Sequence, residues 1–382
     1  MNKLSKIFVA ALVATVATAP ALAQADPQYT ITDLGVVAPN TYSQTFGMSA
    51  NGAYVVGRDL MADGQAGAWP AFIWNAGTGM VAQGNLAGRN YASAYAVTNN
   101  GLAVGVSTVT PSGSSPLPVV WTNGQATQLA LPSGQTVGRA YGVNSSGIAV
   151  GSVGSGSGEI ATIYNINTGT SSRITTLSAE GSYMQTAMDI SSNGLVVGSG
   201  VDSSSRGVAL VFDSVHNTMT QLTMPAYAGF NSSLAVDISD NGQFIVGSSG
   251  NGSQAFIWSA TTGALLAPIP SVSSGGSLDS VNDQGWAVGT SGGLYSNPFL
   301  YADGQSYLIS SIISNGAGWN FTTTTSASAA EISNNGLIVG TAKLNGIEHA
   351  YMLTPVPEPT TYALMMAGLM TLGFVARRRR SH

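Results

Sequence analysis

The chain has 382 residues, enough for one large domain or two ordinary ones. Only 8% of the residues are charged, against about 25% in a typical soluble domain, yet the hydrophobic content of 44% argues against a disordered linker. The chain contains no cysteine, which excludes disulfides, thiol nucleophiles and cysteine metal sites.

The N-terminal segment predicts a cleaved secretory signal peptide. A short basic start, "MNKLSK", precedes the apolar run "IFVAALVATVATAP". Ala21 and Ala23 then form a small-residue cleavage site before Gln24. An uncleaved membrane anchor is the alternative, but the run is short for one. We therefore divide the chain into a signal peptide (1–23), a repeat domain (24–354) and a tail (355–382).

A repeated pattern dominates the middle of the chain, and "ISSNGLVVG" (190–198) is a typical copy of it. Seven copies occur, and the glycines of their turns are 43 to 51 residues apart. These turn glycines are Gly52, Gly101, Gly147, Gly194, Gly242, Gly285 and Gly336. Such a period suits the blades of a β-propeller, which have roughly 40 to 50 residues each.

Each repeat predicts four antiparallel strands, which make one propeller blade. The first strand ends before the turn, most often Asn-Gly, which tolerates the positive φ that two-residue hairpins require at both positions. A β-branched second strand follows, and an apolar third strand ends at or near an aromatic residue such as Trp74. A second turn, such as Asn123-Gly124, leads into the fourth strand. Two copies, "NGAYVVG" and "NGQFIVG", carry one extra residue, which we expect to be absorbed in the turn.

The positions seven residues before the turn glycines are mostly alanine, as expected where the innermost strands crowd around an axis. The seventh repeat stops after its third strand, at "HAYML". The mature N-terminus, "YTITDLGVV", matches the fourth-strand pattern and has no other strands before it. We therefore predict an all-β, seven-bladed β-propeller of four-stranded antiparallel blades, closed by this N-terminal strand.

The tail combines three features in a fixed order. Pro357, Glu358 and Pro359 precede an apolar run that predicts a single transmembrane helix, and a cluster of arginines follows the run, placing that end of the helix in the cytoplasm. The cluster consists of Arg377, Arg378, Arg379 and Arg380. This tail resembles the PEP-CTERM sorting signal of Gram-negative bacteria. The resemblance implies an exosortase as partner, a transient inner-membrane anchor, and a cell surface or matrix destination in biofilm-forming, exopolysaccharide-producing cells. An ordinary tail anchor is the alternative.

The exported part of the chain is acidic. Between Gln24 and Glu358 only 6 basic residues face 17 acidic ones, a net charge of about −11. The basic stripe that nucleic-acid binding requires is absent from the sequence, so we expect no nucleic-acid partner.

The repeats also resemble the His-Ala-Phe (HAF) repeat family of bacterial extracellular proteins, across nearly all of residues 29–353. That family joins an Ile-Asn-x-x-Gly-x-Val-Val-Gly stretch to His-Ala-Phe-x-Trp. Here "HAY" (349–351) comes closest, and two copies of "AFIW" lack the histidine. The resemblance implies the fold and an extracellular location but no activity.

The sequence predicts no catalytic, cofactor-binding or metal-binding residue. His216 and His349 have no second histidine or carboxylate at metal-ligand spacing. The segments "DISDNG" and "DSVNDQG" leave calcium open, although Asp and Asn also cap hairpins. Trp319, in the long insert "SNGAGWNFTTTTSAS", is the aromatic residue at which we would look first for ligand contact.

Three functions remain open on the sequence. The leading hypothesis is a non-enzymatic surface or matrix protein associated with exopolysaccharide. The first alternative is a carbohydrate-binding propeller with a pocket on one face. The second is a propeller glycoside hydrolase, which needs paired carboxylates that converge at the axis. The repeats do not carry such carboxylates at a shared position, but single ones from different blades could still meet there.

Overall fold

The computed structural model describes residues 26–61, 67–224, 232–250, 254–259, 264–266, 275–291, 297–322 and 327–357. Seven antiparallel sheets follow one another around a central axis, each packed against the next. This arrangement confirms the predicted seven-bladed propeller. The signal-peptide residues Ala21, Ala23 and Gln24 lie outside the described residues, as does the tail beyond Pro357.

The closing strand comes first in the chain and blades 1 to 3 follow it. These strands are β1 (Tyr29–Gly35), β2 (Tyr42–Met48), β3 (Val55–Leu60), β4 (Ala71–Asn75), β5 (Gly79–Ala82), β6 (Tyr91–Val97), β7 (Ala103–Thr108), β8 (Leu117–Thr122), β9 (Gln125–Gln128), β10 (Gly138–Val143), β11 (Ile148–Val153), β12 (Ile160–Asn165) and β13 (Thr170–Arg173). A short 3₁₀ turn, Gly156–Gly158, lies between β11 and β12.

Blades 4 to 7 complete the ring. Their strands are β14 (Tyr183–Ile190), β15 (Leu195–Val201), β16 (Gly207–Asp213), β17 (Thr218–Gln221), β18 (Ser233–Ile238), β19 (Phe244–Ser249), β20 (Gln254–Ser259), β21 (Ala264–Leu266), β22 (Gly276–Val281), β23 (Ala287–Ser291), β24 (Asn297–Ala302), β25 (Gln305–Leu308), β26 (Trp319–Asn320), β27 (Ser328–Ile332), β28 (Ile338–Leu344) and β29 (Ile347–Pro355). One helical turn, α1 (Ile309–Ile312), follows blade 6.

Blade 7 is closed by the N-terminal strand, as predicted. β1 pairs with β29 in antiparallel register, from Tyr29 opposite Pro355 to Asp33 opposite Tyr351. His349 Nδ1 lies 2.9 Å from Asp33 Oδ1, which adds a side-chain bond to the same pairing. The ring therefore has no open edge at this junction. The short β26 adds to the same sheet by pairing with the outer end of β28.

The hydrophobic core is divided into layers between neighbouring blades. Each apolar cluster among the described residues joins two adjacent blades, and together the clusters cover all seven blade interfaces. Between blades 2 and 3, for example, Val104 and Val120 pack against Ala149 and Tyr164, all at most 6% exposed. The β-branched second strands are therefore buried because both faces of each blade contact a neighbour.

The first turn of each repeat differs from the two-residue hairpin that the sequence predicted. All seven turn glycines have positive φ, between 72° and 88°, but the residue before each of them does not. In blade 2, Thr98 N donates to Leu102 O at 2.9 Å and Gly101 N donates to Thr98 O at 3.0 Å. These bonds define a three-residue loop in which a type I turn precedes a left-handed glycine. The expectation of positive φ at both positions was wrong here.

Two related expectations about the turns are confirmed. In the first blade Ser49 N donates to Tyr54 O, so the extra residue of "NGAYVVG" lengthens the loop and leaves the strand register intact. Among the second turns, Asn123 and Gly124 have φ of 51° and 79°. This turn is therefore a two-residue hairpin with positive φ at both positions, as predicted.

The first turns also join neighbouring blades. Asn51 N donates to Asn99 Oδ1 at 2.9 Å, and Asn241 N donates to Asp283 Oδ1 at the same distance. Asp283 N in turn donates to Asn334 Oδ1 at 2.9 Å. The repeated polar residues therefore form a chain of hydrogen bonds around one face of the ring, which we call the turn face.

Candidate functional site

A β-bulge occurs at the same place in the innermost strand of every blade. In β6, Ala94 pairs with Gly105 and Ala96 pairs with Val104, so Tyr95 is left without a partner in the register. The same shift follows the residue that stands seven positions before each of the other turn glycines. The unpaired bulge residues are Phe46, Tyr95, Tyr141, Met188, Val236, Asp279 and Ala330.

The glycine opposite each bulge is required by close backbone contact. A Cβ atom on Gly105 would lie 2.0 Å from the carbonyl oxygen of Ser93, and one on Gly198 would lie 2.0 Å from that of Thr186. The repeated glycine that ends the second strand is therefore not itself a bulge. It gives the bulged inner strand room to approach the second strand.

The seven bulge residues line one cavity on the axis. Its volume is about 460 Å³, within the roughly 300–1,000 Å³ of typical small-molecule sites. A bulge turns an extra side chain towards the axis that regular alternation would send elsewhere, so the cavity follows directly from the repeated bulge. We call this space the axial cavity.

Aromatic rings form one half of the axial cavity wall, on blades 1 to 3. The ring centroid of Tyr95 lies 5.5 Å from that of Phe46 and 5.4 Å from that of Tyr141. The Arg58 guanidinium lies over Phe46, 5.4 Å from the ring centroid, and is 6.0 Å from the ring of Trp69. The three bulge aromatics thus form a continuous apolar surface along the rim.

Carboxyl groups form the other half of the wall, on blades 4 to 7. Asp189, Asp237, Asp279 and Glu331 all line the axial cavity. Each of the four residues is half-buried. Single carboxylates from four different blades therefore do meet at the axis, which the spacing of the repeats had left open.

Two of these carboxyl groups also connect neighbouring inner strands. Asp237 Oδ2 accepts a hydrogen bond of 2.7 Å from Val281 N in blade 6, and Asp189 accepts one from Ile238 N in blade 5. The side chains of Asp189 and Asp237 also interact with each other. The two carboxyl groups therefore link the inner strands of blades 4, 5 and 6.

Burial raises the pKa of all four carboxyl groups, because the ionised form loses its hydration. Burial brings the pKa of Asp279 to about 6 and that of Glu331 to about 8. For Asp237, the negative charges of Glu331 and Asp189 add to the effect of burial and hold its pKa well above the usual range. No Lys, Arg or His is found among the described residues that line the axial cavity.

A second, smaller cavity of about 100 Å³ lies at the turn-face end of the axis. It shares Asp189, Asp237 and Glu331 with the axial cavity, and its other walls include the turn residues Asn99 and Asp240. Asp189, Asp237 and Glu331 therefore lie between the axial cavity and this smaller cavity.

The residues singled out in the sequence lie elsewhere. Trp319 is half-buried on blade 7, with its ring 6.3 Å from Phe321 and 5.9 Å from Tyr351. It borders a separate cavity of about 270 Å³. His349 bonds to Asp33 and His216 bonds to Asp213, so each histidine has a carboxylate partner that the sequence did not reveal.

The acidic loop segments considered for calcium divide between two roles. Asp283 accepts hydrogen bonds from the turns of both neighbouring blades, whereas Asp237 and Asp279 line the axial cavity. Within the described residues, no group of three or more His, Asp or Glu is arranged to hold a metal ion.

The tail and the fold both find counterparts among known proteins. Residues 355–380 match the PEP-CTERM protein-sorting motif. This motif implies an exported protein that is processed by an exosortase and has a membrane-anchored C-terminus in a Gram-negative bacterium. Pro357 is described and exposed, while Glu358, Pro359 and the four arginines lie outside the described residues. In the described part of the chain, no helix is long and apolar enough to span a bilayer.

Solved structures similar to this chain are propellers at low sequence identity. A streptogramin B lyase is 10% identical with a TM-score of 0.54, covering 86% of this chain and 98% of its own. U3-55K shows 10% identity, a TM-score of 0.51 and the same two coverages. The extracellular domain of the one component system BT4673 of B. thetaiotaomicron is 9% identical with a TM-score of 0.51 over 87% of this chain, which spans 40% of that chain's length. These likenesses show the fold alone.

No curated protein sequence matches the chain. The protein is thus an exported β-propeller with a C-terminal sorting signal.

Proposed function

We propose that this protein is a non-enzymatic carbohydrate-binding protein of the cell surface or extracellular matrix, which binds the exopolysaccharide of its own biofilm in the axial cavity. The observation that carries the proposal is the aromatic surface formed by Phe46, Tyr95 and Tyr141 at the rim of the axial cavity. Sugar rings present apolar C–H faces that pack on aromatic rings, while their hydroxyl groups need polar partners.

Polar partners complete the wall of the cavity. Asp279 and Glu331 face it from blades 6 and 7, and Gln44 of blade 1 and Thr341 of blade 7 also line it. A wall that is aromatic on one side and hydrogen-bonding on the other suits a sugar unit better than a purely apolar ligand. The sorting signal supports the same location, because it implies delivery outside the cytoplasm.

Catalysis is not part of the proposal. Glycoside hydrolysis requires two carboxyl groups roughly 5 to 9.5 Å apart on either side of the scissile bond. Asp189 and Asp237 instead accept hydrogen bonds from backbone N–H groups of the next blade. These contacts favour a structural and binding role for the two carboxyl groups. The repeats are further proposed to be of the HAF type, with His349 contributing to ring closure.

Binding of the producing cells' own exopolysaccharide to the processed body, residues 24–355, tests the proposal. This segment contains every strand of the ring. We expect saturable binding that Tyr95→Ala weakens about tenfold to hundredfold, because losing a buried aromatic contact costs about 1.5–3 kcal/mol. Tyr54→Ala is the matched control, since Tyr54 packs on Gly101 at the turn face and does not line the axial cavity.

Trp319→Ala separates this site from the cavity that Trp319 borders on blade 7. Unchanged binding in Trp319→Ala, with loss in Tyr95→Ala, places the ligand in the axial cavity. Loss in Trp319→Ala alone would contradict the axial site. Absence of binding by the intact ring would contradict the carbohydrate-binding function altogether.

A further inference from the structure

The axial cavity has an unbalanced charge distribution. Carboxyl groups from blades 4 to 7 face it, and no basic side chain lines it within the described residues. The guanidinium groups of Arg58 and Arg139 line a separate, neighbouring cavity, which shares Tyr95 with the axial cavity. Arg58 is already bonded to Gln44 Oε1, at 2.9 and 2.8 Å.

The side-chain donors that bond to Asp279 and Glu331 carry no positive charge, so they do not balance the charge of an ionised carboxylate. Asp279 accepts from the hydroxyl groups of Ser277 at 3.1 Å and Thr290 at 3.4 Å, and Glu331 accepts from the hydroxyl of Ser280. These donors are all neutral. Buried carboxylates are ordinarily paired with a cation, because burying an unpaired charge is costly.

A second observation points to a polar ligand at the same place. Thr45 lines the axial cavity, its side chain is 2% exposed, and its Oγ1 atom has no hydrogen-bond partner. A buried hydroxyl without a partner costs about 1–3 kcal/mol. The wall of the axial cavity therefore contains an unsatisfied hydroxyl group in addition to its aromatic and acidic residues.

We propose that the axial cavity is specific for an amine-bearing sugar, whose ammonium group lies against the carboxyl groups of Asp279 and Glu331 and whose ring packs on Tyr95 and Tyr141. This inference rests on the proposed carbohydrate-binding function and names its ligand class. An ammonium group supplies the missing positive charge, and aromatic faces attract cations as well as sugar C–H groups. Uronic acids and sulfated or phosphorylated sugars bring further negative charge to this acidic wall instead of a positive partner, so we expect them to bind more weakly than an amine-bearing sugar.

Three β-1,4-linked oligosaccharides of equal length test the specificity by isothermal titration calorimetry on residues 24–355. They are oligomers of glucosamine, of N-acetylglucosamine and of glucose. We expect the glucosamine oligomer to bind at least tenfold more tightly than either neutral oligomer. We also expect Asp279→Asn or Glu331→Gln to remove that preference while leaving the affinity for the neutral oligomers within about threefold.

The control variant removes one negative charge at a position outside the axial cavity. Glu180 is exposed and does not line the axial cavity, so Glu180→Gln changes the net charge equally and should leave the preference intact. An equal loss in Glu180→Gln would show general attraction between an acidic protein and a polycation, and would overturn the inference.

The remaining outcomes separate the inference from the proposed function. Equal or tighter binding of a neutral oligomer overturns the amine specificity and leaves the carbohydrate-binding function standing. If no oligomer binds and the native exopolysaccharide does not bind either, the proposed function fails and the inference fails with it. If the native exopolysaccharide binds and the glucosamine oligomer does not, only the amine specificity is overturned.

Discussion

Blades 1 to 3 and blades 4 to 7 use the same backbone and present opposite chemistry to the axis. At the bulge, the first group carries aromatic rings and the second carries Met188, Val236, Asp279 and Ala330. At the next position, the first group has residues without polar side chains and the second has polar ones. That position is occupied by Gly47, Ala96 and Gly142, and then by Asp189, Asp237, Ser280 and Glu331.

The comparison shows that structure and specificity reside at different positions of the repeat. The turn glycine and the glycine opposite the bulge recur because φ or backbone contact demands them. The bulge residue and the residue after it vary, because neither has a positive φ and the backbone does not require glycine there in every blade. The variable positions are therefore where a binding site with two unlike halves can be built on a symmetric ring.

The largest expected effect comes from breaking the feature that both halves share. Gly198→Ala places a Cβ atom 2.0 Å from the Thr186 carbonyl, so either the bulge or the strand pairing must move. We expect the free energy of unfolding to fall by more than about 3 kcal/mol, measured by urea denaturation. Gly158→Ala is the control, because nothing lies within 4 Å of a Cβ atom there. An equally small effect in both variants would contradict the close approach.

A smaller effect is expected from the acidic half alone. Glu331, with its pKa raised to about 8 from 4.5, binds a proton in the folded protein that the unfolded chain releases. Because the folded state binds this extra proton, the free energy of unfolding falls as pH rises from about 4.5 to about 8. We expect the melting temperature to decrease over this range, and Glu331→Gln to flatten the decrease.

Other carboxyl groups at the axis contribute to the same slope. Those with raised pKa values are Asp189, Asp237 and Asp279 on the cavity wall and Asp240 at the turn face. Burial raises the pKa values of Tyr95 and Tyr141 above 10, so the two phenols do not titrate in this range. Glu180→Gln serves as the control. Scanning calorimetry measures the slope of the melting temperature against pH. If Glu331→Gln leaves this slope unchanged, Glu331 is not the buried carboxyl group with a raised pKa that we describe.

The smallest effect is expected at the ring closure. Although burial raises the pKa of Asp33, the hydrogen bonds from His349 and from Gly35 N–H outweigh it and hold the pKa below its usual value. The stabilisation is therefore present above the pKa of the unfolded chain and is lost as pH falls through the folded value. Asp33→Asn should lower the melting temperature slightly at pH 6 and by less at pH 3. A loss of equal size at both values would contradict the ionic contribution.

Much of the fold could be predicted from the sequence, because the backbone conformation of each blade requires glycine at the same positions of every repeat. Seven turn glycines set the number of blades, and the incomplete seventh repeat together with "YTITDLGVV" indicated how the ring closes. The turn conformation was not predicted, because Asn-Gly serves two loop types here. It ends a three-residue loop at Gly101 and forms a two-residue hairpin at Gly124.

The axial cavity was missed for a physical reason. Strict alternation along a strand would send Tyr95 and Ala96 to opposite faces, and only the bulge brings both to the axis. Aligning the repeats on their turn glycines places the cavity residues five and six positions before each glycine. The change from aromatic to acidic residues at those two positions was the available signal. The sequence indicated Trp319 as a ligand contact because its insert interrupts the repeat. In the structure, its ring packs on Phe321 and Tyr351.

The most direct measurement is a crystal structure of residues 24–355 bound to short oligosaccharides cut from the native exopolysaccharide. We predict electron density for a sugar unit in the axial cavity, between the ring of Tyr95 and the carboxyl group of Asp279. Density at Trp319 or on the turn face, with an empty axial cavity, would contradict it.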